Sequence, residues 1–409
     1  MGKRKLSRAA RFERMFKVWE YLRKNTDAEH PTTQAEMRKS SEVSEFIGDK
    51  ETFNRLIKDM ARTMNSDEFG YKPEKDWKIY FHDFKKYYGD DAEDFDAEAD
   101  LYSEEAYDEF ADQTMHIDGL YYNRTFSYDE INSIIEGIIA TKTLDTKSAG
   151  KLIEKVEQNL TTRFYKKGAK RICKVMEPEL ADREQLRINL LTIQKAIDDH
   201  VQISFRFNGY TYQKKLEPIR DRKDTVSPYY IVASGGRYYL LACKEVEIKG
   251  KTVRNMSIWR IDLMTEIEIP GINEQMAIKG VPRIPKKDVD NLPLEWTEDF
   301  QLKHLNMSYD KPIWITLKIK SPKQEDDSAR RIRADYTFLH DWFGDKFKVV
   351  GTEKTAPYDD IIKVECSPFA MTHWALQYCD RVEVVAPEEV RNRVIEKIRN
   401  LNVKYGLGK

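Results

Sequence analysis

The stretch PYYIVASGGRYYLLAC, residues 228–243, decides how the middle of the chain folds. Two runs rich in Tyr, Ile, Val and Leu flank a Ser-Gly-Gly turn, and a glycine pair between such runs is typical of a β-hairpin. Similar runs lie on both sides: ISFRF at 203–207 ends at an Asn-Gly turn, and VRNMSIWRID at 253–262 follows Lys-Gly-Lys. Short antiparallel strands at this spacing predict a small closed β-barrel, and we assign residues 183–270 to it.

The segments around this barrel differ in pattern. Upstream, YDEINSIIEGIIATKTLD and SAGKLIEKVEQNL carry Ile and Leu at helical spacing, so residues 119–182 are expected to form a helical linker that also mediates dimerisation. Downstream, prolines recur between 271 and 308, which predicts a poorly regular linker. Strand and helix patterns then alternate over 309–409 and end in a helix at 387–401, which predicts a small α+β module.

The N-terminal 89 residues favour a winged helix-turn-helix. Apolar residues at helical spacing predict helices over 8–24 and 50–64, and Thr32 or Thr33 can cap a short helix that runs to Lys39. The aromatic run over 69–88 is expected to form the β-hairpin wing. Three short helices followed by such a hairpin are the usual arrangement of this DNA-binding motif.

The third of these helices is the expected reader of DNA. Its apolar stripe would leave cations for phosphates, and hydroxyl or amide groups for base edges, on the outer side. An ordinary surface helix is the alternative interpretation. The candidate DNA-binding residues are Lys50, Thr52, Asn54, Arg55 and Lys58.

Charge is distributed very unevenly along a chain whose net charge is only -1. Residues 1–24 hold nine basic and two acidic side chains, whereas residues 90–118 hold thirteen acids and no Lys or Arg. A basic arm of this kind favours binding to a polyanion, although a solvated tail has the same composition. The acidic insertion is either a solvated segment near the wing or one that competes with DNA for the basic arm.

Several function classes lack their sequence signals. The four cysteines form no Cys-x-x-Cys pair, and no two histidines have the i, i+4 spacing of a helical metal site, so neither a metal nor a cofactor is expected. No P-loop, Gly-x-Ser-x-Gly or His-Glu-x-x-His motif occurs, and we therefore expect no enzyme activity. Without a long apolar segment or a secretory signal, the protein is expected to stay in the cytoplasm.

The order of motifs resembles that of the WYL-domain transcriptional regulators. ISFRF, KKLEP, PYYIVASGGRYYLLAC and WRID are similar to the WYL domain itself, with Tyr238, Tyr239 and Leu240 at the tripeptide that names it. HPTTQAEM and DKETFNRLIKDM resemble the family's helix-turn-helix, and DRVEVVAPEEVRNRVIEKI resembles its C-terminal extension. The resemblance implies an SH3/Sm-like barrel that senses a nucleotide or short single-stranded nucleic acid, usually in a homodimer. Ser257 and Leu263 stand where the family often has arginine.

The strands also offer residues suited to such a ligand, since aromatic rings stack on bases and cations bind phosphates. Asp262 is placed to orient a guanidinium of the same strand. The alternative is that half of the aromatic residues form the barrel core and the cations are solvated. The candidate ligand-binding residues are Phe205, Arg206, Lys215, Tyr238, Tyr239, Arg254, Trp259 and Arg260.

Together these patterns predict an α+β multidomain protein that acts as a ligand-modulated transcriptional regulator bound to double-stranded DNA. The alternative function belongs to another class: an accessory protein that binds RNA or single-stranded DNA through the barrel and modulates a nuclease or defence complex. Equal affinity for any single strand, without preference for a duplex, would distinguish the accessory protein from the regulator.

Overall fold

The fold is taken from a computed structural model, which divides into two compact units, residues 1–177 and 178–409. Each is described by itself below, as the first unit and the second unit. The structure describes residues 8–89, 115–141, 143–166, 183–273, 275–320, 336–355 and 358–407.

The first unit begins with four helices, two of which start at side-chain caps. Thr33 and Glu36 form a reciprocal capping box at the second helix, and the Asp49 side chain accepts a hydrogen bond from the Thr52 amide at the fourth. The predicted helices are present, with one short additional helix before the reader. The four are α1 (Arg8–Asn25), α2 (Gln34–Lys39), α3 (Ser44–Ile47) and α4 (Lys50–Asn65).

The region predicted as a hairpin wing over 69–88 folds differently. A two-residue ladder joins β1 (Ser66–Asp67) to β2 (Gly70–Tyr71), and the run ends in helix α5 (His82–Tyr88). Strand β3 (Ile79–Tyr80) pairs antiparallel with β4 (Tyr121–Tyr122), which lies on the far side of the acidic insertion. The hairpin prediction is therefore wrong. The aromatic residues of this run pack into the core of the first unit instead, and three of them are fully buried: Trp77, Phe81 and Phe84.

The predicted linker contains helices α6 (Tyr128–Ala140) and α7 (Thr146–Leu160), each with a capped N-terminus. Two side chains fasten them to the end of α1. The Tyr128 hydroxyl donates to Asp27 at 2.8 Å, just after α1. Arg124 donates from Nη2 to the Arg23 carbonyl of α1 and from Nη1 to the Leu160 carbonyl of α7 at 3.1 Å.

The second unit opens with helix α8 (Arg183–Asp198), which packs on one face of a curled six-stranded sheet. The strands are β5 (Ile203–Tyr210), β6 (Leu216–Pro218), β7 (Asp224–Ser234), β8 (Arg237–Ile248), β9 (Lys251–Arg260) and β10 (Met264–Glu268). Their order in the sheet is β10-β5-β7-β8-β9, with β6 paired to β5. No ladder joins β9 to β10 among the described residues, so the sheet is a half-barrel and the closed barrel predicted from the sequence is not formed.

Both faces of the half-barrel are buried against other parts of the chain. Leu240 and Trp259 lie opposite each other on β8 and β9 and pack towards α8. Their neighbours Leu241 and Ile258 point the other way, because successive side chains of a strand alternate between faces. That second face is covered by Val289, Leu292, Phe300 and Met307 of the Pro-rich segment.

The Pro-rich segment 271–308 is therefore more than a linker. It contains a 3₁₀ turn at 286–288, helix α9 (Phe300–Lys303) and a second 3₁₀ turn at 305–307. Phe300 and Met307 join the half-barrel core, while Leu305 belongs to the core of the C-terminal module. The segment thus fastens the half-barrel to that module.

The C-terminal module is a four-stranded antiparallel sheet with the order β12-β13-β11-β14. Its β-α-β-β-α-β succession is the split βαβ arrangement of ferredoxin-like domains. A final helix follows, as the sequence predicts. The elements are β11 (Ile313–Ile319), α10 (Thr337–Phe343), β12 (Lys348–Thr352), β13 (Asp360–Cys366), α11 (Pro368–Gln377), β14 (Val382–Ala386) and α12 (Glu388–Lys404).

Two cysteines of the second unit lie in these cores. Burial raises the pKa of the Cys243 thiol to about 11 and that of Cys366 to about 12, so both stay protonated near neutral pH. Cys379 is exposed, and Cys173 lies outside the described residues. None of the helices that the structure describes is long and apolar enough to cross a membrane.

Candidate nucleic-acid interfaces

Helix α4 presents three of its five predicted DNA-binding residues at the surface. Lys50 and Arg55 are exposed and Thr52 is partly exposed, all on the N-terminal half of the helix. Arg55 donates from Nη2 to Glu51 at 3.0 Å, one turn earlier. This is a weak, solvent-screened pair, because both side chains are more than half exposed. Arg55 can leave this partner for a phosphate or a base at little cost.

The other two predicted residues are buried. The expectation that Asn54 and Lys58 lie on the outer side of α4 is wrong, since only 8% and 4% of these residues are exposed. Asn54 Nδ2 donates to the Met115 carbonyl oxygen at 3.1 Å, and Met115 is itself buried in the core. The chain that returns from the acidic insertion therefore covers this face of the helix.

The exposed stripe of α4 is nearly balanced in charge. Glu51, Arg55, Asp59 and Arg62 are all exposed and succeed one another at intervals of three or four residues. Such spacing places alternating acids and bases on one line of the helix surface. A long patch of uncompensated positive charge is therefore not available from α4 alone, and attraction to DNA would have to come chiefly from α1 and the preceding arm.

The acidic insertion lies between two strands that pair with each other, β3 and β4. Its residues 90–114 lie outside the described part of the chain, but the return is described. The His116 amide donates to Asp83 Oδ2 at 2.6 Å, and the His82 amide donates to the Asp118 carbonyl at 3.0 Å. The end of the insertion is therefore fixed against α5, close to the covered face of α4.

On the half-barrel, an arginine pair shares one carboxylate. Arg260 binds Asp262 through two hydrogen bonds, Nε to Oδ1 at 3.1 Å and Nη2 to Oδ2 at 2.6 Å, and Arg237 Nη1 reaches Oδ2 at 3.3 Å. Only 6% of the Asp262 side chain is exposed, compared with 32% for Arg260. The expectation that Asp262 orients a guanidinium is confirmed. Two cations on one acid leave a net positive charge, which can attract an anion.

Tyrosines flank this arginine pair. Tyr239 lies directly opposite Arg260 in the β8–β9 ladder. The hydrogen bond with Asp262 raises the pKa of Arg260 above its usual value; burial opposes this, and Tyr239 and Tyr210 add to it. We call Tyr210, Arg237, Tyr239, Arg260 and Asp262 the rim cluster. It combines guanidinium groups held by Asp262 with the exposed ring of Tyr210, a combination suited to a nucleotide, whereas Tyr239 is partly buried against the core of the second face.

Two predicted stacking residues belong to the core instead. Phe205 is fully buried and Trp259 is 8% exposed, and their rings meet edge to face with centroids 5.3 Å apart. The expectation that they stack on a ligand is wrong. The edge-to-face geometry explains their place, since it is a favoured packing of aromatic rings in protein interiors. Tyr238 is half-buried and packs against the same core.

The remaining predicted cations do not gather at the rim cluster. Arg206 is held by Glu266 at 3.0 Å and by the Asp221 carbonyl. Arg254 pairs with Glu245 at 2.6 Å and lies six residues before Arg260 on β9, about 20 Å along the strand. Lys215 is exposed on the β5–β6 hairpin. Of the eight predicted ligand residues, only Tyr239 and Arg260 belong to the rim cluster.

Sequence reasoning missed Arg237 and Tyr210. Arg237 directly follows Gly235 and Gly236, whose φ angles of 55° and 74° form the tight turn of the β7–β8 hairpin. The turn itself was recognisable, and the first residue after it had to lie at the end of the sheet. Tyr210 carried no comparable signal, because its place near Arg260 depends on how the sheet curls.

No family model and no curated protein matches the chain. Among solved structures, one described as a crystal structure of a CRISPR Cas-related protein aligns with 98% of this chain and 93% of its own, at 12% identity and a TM-score of 0.31. Proteasome accessory factor B/C of Arthrobacter aurescens aligns with 97% of this chain at 11% identity and a TM-score of 0.23, and the chain spans 54% of its length. Similarities this weak do not bear on function.

Proposed function

We propose that the protein is a DNA-binding transcriptional regulator and that a nucleotide or short single-stranded nucleic acid at the rim cluster modulates its activity. The order of elements in the first unit supports the proposal that the protein binds DNA. Helices α2 and α4 are followed by the paired strands β3 and β4, and Thr32 before α2 forms a bridge with Leu120. This is the order of a winged helix-turn-helix, in which the later helix enters the major groove.

The rim cluster supports the sensing half. Arg260 donates two hydrogen bonds to Asp262, so its guanidinium is held in place and needs no reordering to meet a phosphate. We propose that the protein acts as a homodimer, as the resemblance to WYL regulators implies, and that it catalyses no reaction. Binding at the rim would alter DNA affinity, and linkage then requires DNA to alter the affinity for the rim ligand by the same factor.

An accessory protein that binds single strands remains the second candidate, and one observation favours it. The exposed stripe of α4 alternates acids and bases, and the covered face holds Asn54 and Lys58. A helix with this surface attracts DNA phosphates less strongly than the basic reader that the sequence predicts. The two candidates differ in their preference for a duplex.

Arg55→Ala tests the role of α4 in duplex binding. We expect the variant to bind its preferred duplex more weakly by about 1–3 kcal/mol if Arg55 contacts a base edge. Its thermal stability should be unchanged, because the exposed pair with Glu51 contributes little. Fluorescence anisotropy with a labelled duplex, together with a melting curve, measures both quantities.

Asn54→Ala is the matched control. It removes a buried hydrogen bond to the Met115 carbonyl, so we expect a loss of about 1–3 kcal/mol of stability and no change in the affinity of the folded protein. If Asn54→Ala weakens duplex binding at unchanged stability while Arg55→Ala has no effect, α4 reads DNA through the face that the structure buries, and this assignment fails.

A further inference from the structure

The four-stranded sheet of the C-terminal module has one face that its helices leave open. Along β11, Ile315, Leu317 and Ile319 are buried among α10 and α11, and the alternate residues point away from them. The neighbouring strand β13 repeats this alternation, with Ile362 and Val364 buried and Lys363 exposed. We call the outward residues of β11, β12 and β13 the open sheet face.

An exposed tryptophan lies on this face beside a lysine. Trp314, on β11, is 44% exposed, and Lys348 Nζ of β12 lies 4.2 Å from the centroid of its ring. Lys348 is itself exposed, and its long side chain can swing away from the ring at little cost. An aromatic face would then be free for a flat partner, with a cation within reach of the partner's charge.

Not every lysine on the open sheet face is paired with a carboxylate. Three carboxylates on or beside it are already engaged: Glu353 by Lys318 at 2.7 Å, Glu365 by Lys303 at 3.2 Å and Glu383 by Arg391 at 3.0 Å. Lys348 and Lys363 are direct neighbours in the β12–β13 register. Within the described ranges, neither is in an ion pair with a carboxylate.

From this arrangement we infer that the open sheet face is a second nucleic-acid site, one that binds a single strand independently of the rim cluster. A base stacks on Trp314, and the flanking phosphates contact Lys348 and Lys363. Neighbouring strands are about 4.8 Å apart, so a face three strands wide holds about two or three nucleotides. Four-stranded sheets of this topology are known to bind RNA by stacking bases on aromatic residues of their open face.

The geometry of the Trp314 ring favours single-stranded over duplex nucleic acid. Trp314 projects from a sheet, and a base can lie flat on it only when the base is free of its paired partner. The two neighbouring lysines repel each other across the ladder, and a phosphate between them removes that repulsion. The pair of lysines therefore favours an anion in a way that an ordinary solvated sheet face does not.

The test uses the full chain with Arg260→Ala as background. This substitution weakens binding at the rim cluster, so that binding at the open sheet face can be measured separately. The probes are fluorescein-labelled oligo(U) and oligo(dT) of eight nucleotides, read by anisotropy. In that background, Trp314→Ala should weaken binding about tenfold or more, and Trp314→Phe should retain most of the affinity. Lys348→Gln with Lys363→Gln should lower the slope of log K against log salt by about 1.4.

Lys397→Gln with Lys404→Gln, both exposed on α12, removes the same number of charges and should leave binding unchanged. Photocrosslinking of a 4-thiouridine oligonucleotide, mapped by mass spectrometry, should place an adduct on β11 or β12. The inference is overturned if Trp314→Ala binds as tightly as the background, if the α12 control weakens binding as much as the paired lysine variant, or if an unlabelled duplex of equal length suppresses the adduct on β11 or β12 as well as an unlabelled single strand does.

Discussion

Phe205→Ala is expected to lower the free energy of unfolding of the second unit by about 3–5 kcal/mol, the cost of truncating a large aromatic side chain in a packed core. The ring is fully buried and meets Trp259 at 5.3 Å and Phe207 at 6.4 Å, both edge to face. Urea denaturation followed by circular dichroism measures the loss.

Tyr212→Ala, on the neighbouring hairpin, is the control for Phe205. Its side chain is 92% exposed, so its removal should change stability by less than about 0.5 kcal/mol. If Phe205→Ala leaves stability unchanged but abolishes binding of an oligonucleotide, Phe205 is a stacking residue after all, and its assignment to the core is wrong.

Arg260→Ala is expected to weaken binding of a 5′-phosphorylated oligo(dT) at the rim cluster by about 2 kcal/mol, or about 30-fold, as the loss of a charged hydrogen bond to phosphate. The substitution also leaves the buried Asp262 with Arg237 alone, at 3.3 Å. Calorimetry at fixed salt measures the affinity, with a melting curve to show that the fold is retained.

Arg254→Ala provides the comparison on the same strand. This arginine is exposed, pairs only with Glu245 among the described ion pairs, and lies about 20 Å from Arg260 along β9. Its loss should change affinity for the oligonucleotide by less than about threefold. Equal losses in the two variants would show that general positive charge, and not the rim cluster, holds the ligand.

Features set by a few neighbouring residues could be predicted from the sequence. The capping box of Thr33 and Glu36 and the Asp49 cap require only the side chains at those positions, and both helices begin where the sequence places them. The turn at Gly235 and Gly236 is equally local. The orientation of Arg260 by Asp262 depends on residues two apart and was also predictable.

Features set by residues far apart in the sequence could not be predicted. Asn54 is buried because Met115, 61 residues later, returns across α4, and nothing near Asn54 signals this. The strand β3 finds its partner beyond the whole acidic insertion, so the nearest aromatic run was mistaken for the second half of a hairpin. The second face of the half-barrel is likewise covered by the segment from Val289 to Met307, a long-range contact that the strand pattern does not signal.

Selection of bound duplexes from a random pool tests the account most directly. The full-length protein is incubated with the pool at physiological salt, the bound duplexes are sequenced, and the affinity of the enriched duplex is compared with that of a scrambled duplex and of each separate strand. A sequence-specific regulator should enrich a defined site and bind it about a thousandfold more tightly than the scrambled duplex. No enriched site, together with equal or tighter binding of the single strands, would contradict the proposal and favour the accessory protein.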